Sequence, residues 1–333
     1  MSNYGFPTIL QYTRLSSTVA DLKSRADRAR TEMVTGRIAD LKATLAEQIG
    51  DAHLMKKAIA DIDATQQAVS RALGRAAATQ VAINRSTDTV ITTATNLVSA
   101  VGTRDTNGIN IAATEAKLQL EGAMSAFNTR YEGRNLFSGD AVTTGALADS
   151  GTLLNDIRGI FATATDEASL NTALDTYFND PAGGFMTNIY TGGAGNAPRT
   201  EVAPGELIDY SARADEQPIR DLLRNLAVVV VGHEETTFVD RDSVLKNAGV
   251  SLIETTNDLA GVSARIGAAE ERLAKTQDRL DAEVVAFTAT YNDRTSVDMY
   301  DAAERLQAIE SQLQASYIVT ARVSQLSLSN FLR

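Results

Sequence analysis

One apolar pattern constrains this chain more than any other feature. Met55, Ile59, Ile62, Gln66, Val69, Leu73, Ala76, Gln80, Ile83, Thr87, Val90, Ala94, Leu97 and Val101 follow one another at spacings that alternate between four and three. Eleven of these fourteen positions are apolar, so a heptad seam persists for more than six heptads. Such a seam predicts a coiled-coil helix with a partner along its apolar side. Gln66 and Gln80 stand two heptads apart in it, and polar seam residues of this kind fix register at some loss of stability.

The pattern recurs toward both ends. Tyr12, Leu15, Val19, Leu22, Ala26, Ala29 and Met33 form an N-terminal seam, and Met299, Ala302, Leu306, Ile309, Leu313, Ser316, Thr320 and Val323 a C-terminal one. A further seam runs Leu259, Val262, Ile266, Ala269, Leu273, Thr276, Leu280, then shifts register through Val284, Phe287 and Tyr291. Ala116, Leu120, Ala123, Phe127 and Tyr131 share a face of another helix over about 110–132. An exposed stripe is an aggregation hazard, so the two ends of the chain are expected to pack on each other.

Proline and glycine mark where the helices stop. The prolines are Pro7, Pro181, Pro198, Pro204 and Pro218, which leaves 8–180 and 219–333 free of helix-breaking rings. Ten of the 22 glycines fall within 139–205, where turn chemistry dominates. There, 153–162 and 167–178 read as short helices, and 199–203 and 206–213 as two strands about Pro204-Gly205. The expected fold class is mainly α: a long antiparallel coiled-coil or helical bundle built from both chain ends, with a small α+β central insert. The expected domains are a terminal helix pair (1–44 with 293–333), a long bundle (45–139 with 215–292) and a solvent-facing centre (140–214). Much of the terminal seam is Ala, Ser and Thr, which bury little apolar area, so the terminal helices are expected to order on assembly.

Composition removes several function classes. The net charge is −11, and no Lys/Arg run exceeds Lys56-Lys57, which argues against nucleic acid and anionic membrane as partners. Cysteine is absent, so thiolate metal sites and cysteine nucleophiles are excluded. The longest apolar run, 226–231, is far too short to span a membrane, and the first residues lack the pattern of a cleaved secretion signal. His233-Glu234-Glu235 with Asp240 and Asp242 fits no ligand spacing, and His53 reads as a surface residue. No phosphate-binding loop, dinucleotide fingerprint or nucleophile elbow occurs. The chain is therefore expected to be neither an enzyme nor a cofactor binder.

Four local sequences, in order, carry a resemblance. They are Val34-Thr-Gly-Arg-Ile38, then Asn128-Thr-Arg-Tyr-Glu-Gly-Arg-Asn-Leu-Phe-Ser-Gly139, then Gly261-Val-Ser-Ala-Arg-Ile-Gly267 with Glu271-Arg-Leu273, and last the run from Leu313-Gln-Ala-Ser316 to Leu328. Over about 1–139 and 215–333 the chain resembles the bacterial flagellin-type axial proteins, and among them the hook-associated proteins of the hook–filament junction. Ala39-Asp-Leu-Lys42 departs from that family, which has prolines there, and the terminal Arg333 is similar to filament flagellin.

The resemblance implies a structural subunit that joins hook to filament by polymerising into a ring or helical array. It implies an extracellular location in the flagellum, reached through the flagellar type III apparatus without a cleaved signal. The implied partners are a second hook-associated junction protein, flagellin or the filament cap, and an export chaperone. The alternatives are a filament subunit and an intracellular coiled-coil scaffold. The seam residues Leu15, Val19, Leu22, Leu306, Ile309, Leu313 and Val323 are the candidate assembly interface.

Overall fold

The computed structural model describes residues 8–45, 49–141, 143–195, 198–203 and 205–331, with side chains placed within 13–44 and 50–322. It is mainly helical, as the seams predict, with two small antiparallel hairpins among the described residues. The chain forms two compact units, one of residues 1–63 with 281–333 and the other of 64–280. No helix among the described residues is long and apolar enough to cross a membrane.

In the first unit, helix α1 (Thr8–Thr35) packs antiparallel on α10 (Met299–Phe331). Its seam is the one read from the sequence: Leu22, Ala26, Ala29, Ala302 and Leu306 are buried, with Met33, Ile309 and Leu313 half-buried against them. Both helices are formed, and the pair packs along its buried seam. Gly36 ends α1 at φ +63°, the left-handed cap that glycine adopts without strain. The chain beyond it is tied to the entry of α10: Ile38 N–H donates to the Thr295 carbonyl (2.8 Å) and Val297 N–H to the Gly36 carbonyl (2.9 Å). Short helix α2 (Leu41–Leu45) follows, in the stretch where the family's prolines are missing.

The second unit holds most of α3 (Ile49–Thr87) and of α9 (Arg241–Thr295), together with α4 (Val90–Thr103), α5 (Thr106–Phe127) and α8 (Gln217–Glu234). Val69, Ala72, Ala76 and Ile83 of α3 are buried, as are Leu259, Val262, Ile266, Ala269 and Leu273 of α9. Between those helices Gln80 Nε2 donates to Glu270 (2.8 Å), so one polar seam residue has a specific partner. The seam from 55 to 101 is not one helix: it breaks at Thr89, which takes φ +65°. Strands β1 (Arg130–Tyr131) and β2 (Arg134–Asn135) form a hairpin, and Phe127 meets Phe137 edge-on at 5.1 Å beside it.

The centre contains α6 (Ser150–Thr163), α7 (Glu167–Asn179), a π-turn at Phe185–Ile189, and the hairpin of β3 (Arg199–Ala203) and β4 (Glu206–Asp209). Asp149 and Asp166 cap the two helices by accepting from Thr152 N–H (3.0 Å) and Ser169 N–H (2.8 Å). The second strand stops at Asp209, short of the expected 213, because Ser211 turns back on the Asp209 carboxylate (3.0 Å) and the Pro198 carbonyl (3.2 Å).

Candidate assembly surface

The terminal helix pair carries an inner apolar stripe that is buried and an outer one that is exposed. The inner stripe is small and apolar, and it is stitched at its edges by charge. Arg305 pairs with Glu32 (3.3 Å) and Arg30 with Glu310 (3.3 Å). Glu32 is buried, and its other oxygen accepts from Ala39 N–H (3.2 Å). A buried carboxylate needs such partners, since an unpaired one would be strongly disfavoured. Arg294 with Asp51 (2.9 Å) adds an exposed pair, which contributes little on its own.

Of the candidate interface residues, Leu22 and Leu306 are buried in the chain's own core, and Ile309 and Leu313 pack against Leu306. Leu15 and Val19 are half-buried on α1. The side chain of Val323 lies outside the described residues. The inner stripe is therefore largely occupied within the chain.

The outer stripe was missed by reading periodicity. Tyr317, Ile318 and Val319 are consecutive on α10 and 47%, 57% and 49% exposed. Met299 and Tyr300 at the start of α10, and Val34 near the end of α1, are exposed as well. A seam search discards such residues because they fall off the heptad positions. The signal that finds them is a run of three large apolar residues on a helix whose inward face is already accounted for. An open groove along α1 is lined by Lys23, Asp27 and Arg28 among others.

The discounted charged cluster is part of the scaffold. Arg241 contacts His233 Nδ1 at 3.1 Å, and Arg158 binds Glu234 at 2.8 Å. Burial lowers the His233 pKa, and the Arg241 charge pushes the same way. Among the described residues no group of three or more histidines or carboxylates could hold a metal ion.

The two chain ends form a thin helical pair that leaves Tyr317, Ile318 and Val319 exposed. Residues 250–332, most of α9 and all of α10, match the family model for the bacterial flagellin C-terminal helical region. A search of curated protein sequences finds no match. Among solved structures, the chain resembles a Vibrio parahaemolyticus protein assigned as a flagellar hook-associated protein, at 12% identity and TM-score 0.54, over 76% of this chain and 100% of that one. It also resembles Bacillus cereus FlgL, at 13% identity and TM-score 0.51, over 72% of this chain and 98% of that one. The resemblance read from the arms is supported: the C-terminal arm matches the model of the flagellin C-terminal helical region, and the fold is similar to that of flagellar hook-associated proteins.

Proposed function

We propose that this chain is a structural axial subunit of the bacterial flagellum, acting as hook-associated protein 3 at the junction of hook and filament. The observation that carries the reading is the flagellin-type C-terminal region, 250–332, whose last helix α10 packs on α1. The fold shared with hook-associated proteins supports the junction over the filament itself.

In this reading a head-to-tail contact between copies, repeated by a rotation, gives a ring or an open helical array. The outer stripe of α10 supplies contacts between copies, while the inner stripe keeps each terminal pair folded. Leu15, Val19, Leu22, Leu306, Ile309, Leu313 and Val323 then act in assembly by shaping the pair that neighbours grip. The neighbours are a second hook-associated junction protein on one side and flagellin or the filament cap on the other. Export runs through the flagellar type III apparatus, with a chaperone on the C-terminal helix. Function is surface matching, with no bond made or broken.

The test is electron microscopy of cells lacking the gene, with the medium assayed for filament protein. Hooks without filaments and shed flagellin are the expected result. Absence of filaments without shed major subunit would identify the chain as the filament subunit instead, and normal flagella would overturn both flagellar roles.

A further inference from the structure

Residues scattered over three segments converge in the second unit on a cavity of about 140 Å³. Helix α3 contributes Arg71 and Arg75, the β1–β2 hairpin contributes Tyr131, Glu132 and Arg134, and Tyr210 lies beyond β4. Three guanidiniums against one carboxylate leave a surplus of two positive charges at this lining, in a chain whose net charge is −11. Arg71 and Arg75 stand four apart on one helix face, where like charges repel. Neither Arg71 nor Arg134 has a carboxylate partner among the described residues.

Arg75 is the decisive member. It is only 7% exposed. One terminal nitrogen donates to the Asn135 carbonyl, but its buried Nε has no hydrogen-bond partner among the described residues. Burial lowers its pKa, Arg134 adds to that, and Tyr210 and Glu132 oppose it; a guanidinium nonetheless stays protonated. A buried guanidinium with a donor left unmade is a strongly disfavoured arrangement, and Arg75 lines this cavity, so an anion there would meet an undercompensated positive charge.

The rest of the cavity is built to present donors. A Cβ on Gly74 would fall 2.1 Å from the Tyr131 hydroxyl oxygen. Glycine within a helix is unfavourable by roughly 1 kcal/mol relative to alanine, and here it leaves room for the Tyr131 ring to lie against α3. Glu132 and Gly133 take φ +49° and +76°, the conformation of a two-residue hairpin turn with both central residues left-handed. That turn brings Tyr131 and Arg134 back beside the helix arginines.

We propose that this cavity is a binding site for one small oxyanion, a phosphate or a carboxylate group, clamped by Arg71, Arg75 and Arg134. Arginine forks match both groups by paired, charge-assisted hydrogen bonds. A water occupies about 30 Å³ of liquid, so the cavity admits a group of a few heavy atoms and excludes a large polyanion, which the acidic surface also repels. The site is independent of the flagellar reading, because it lies outside the terminal pair.

The experiment is isothermal titration of the full chain with inorganic phosphate and, separately, with acetate, each against sodium chloride of matched ionic strength. Saturable binding at one site per chain is expected, weakened roughly tenfold or more in Arg134→Gln and in Arg71→Gln. Both residues are exposed, and unchanged melting curves verify that the variants fold. Tighter phosphate binding identifies a phosphoryl ligand, and tighter acetate binding a carboxylate; either supports the site. Heat no greater than the chloride control, or binding that both variants leave intact, overturns it.

Discussion

Burial raises the Asp221 carboxyl above its usual range, although a hydrogen bond from Gln217 and the charges of Arg224 and Arg220 oppose the shift. A carboxyl raised in the folded state binds its proton more tightly there than in the unfolded chain. Folding stability therefore falls as pH rises from the ordinary carboxylate pKa, near 3.9, through the raised value, and the full penalty stands at neutral pH. Asp221→Asn is expected to raise the melting temperature at pH 7, with the gain shrinking to nothing on acidification below the ordinary value. A gain that persisted in acid would show that the carboxylate is not its source. At Ile318, 57% exposed on α10, the expected effect is of another kind. Ile318→Asp leaves the monomer's melting within about 0.5 kcal/mol, as surface changes usually do, but abolishes sedimentable polymer. Polymer of normal yield would remove the outer stripe from assembly. The contrast is Leu306→Ala, inside the pair, where truncating a buried leucine is expected to lower stability by about 2 kcal/mol or more in denaturant melts of the monomer.

Among the helices, the joint between α4 and α5 offers a direct check of local backbone energetics. Arg104 closes α4 at φ +55°, and its N–H donates to the Val101 carbonyl (3.2 Å). An L-residue in the left-handed region is disfavoured by roughly 1–2 kcal/mol, offset in part by the greater freedom of glycine when unfolded. Arg104→Gly is expected to stabilise the chain by roughly 0.5–1 kcal/mol, seen as a higher urea midpoint at constant slope; a lower midpoint would mean that Arg104 makes an interaction outweighing its strain. The same joint shows how far sequence reading reaches. The helices themselves were legible, because a 4-3 apolar spacing has no other economical explanation, and the capped helices of the centre were legible from their turn residues. The break at Thr89 was not. The seam spacing runs through it from Ile83 to Val90 undisturbed, and a β-branched residue at φ +65° replaces the Gly or Pro that would have marked it. The outer stripe escaped for the opposite reason: Tyr317, Ile318 and Val319 are contiguous, and periodicity is blind to contiguity. Arg71, Arg75 and Arg134 escaped because a search for linear basic runs cannot see a hairpin returning to a helix.

For the whole molecule, the net charge of −11 sets how assembly answers to salt. Copies brought side by side repel through their summed charge, a force that reaches about 10 Å at 0.1 M salt and only about 3 Å at 1 M. The outer stripe of α10 is apolar, and the attraction it offers does not weaken on screening. Repulsion thus fades with salt while attraction stays, so polymer formation is expected to strengthen from low to high sodium chloride, read as a falling critical concentration in sedimentation. Contacts made chiefly of complementary ion pairs would give the reverse trend, since screening would remove the attraction first. The two origins separate further with Ile318→Asp. If apolar contact drives assembly, high salt does not rescue the variant, because the lost attraction was never electrostatic. If salt restores its polymer to the normal level, the defect was only the added negative charge, and the apolar stripe is not what holds neighbouring copies together.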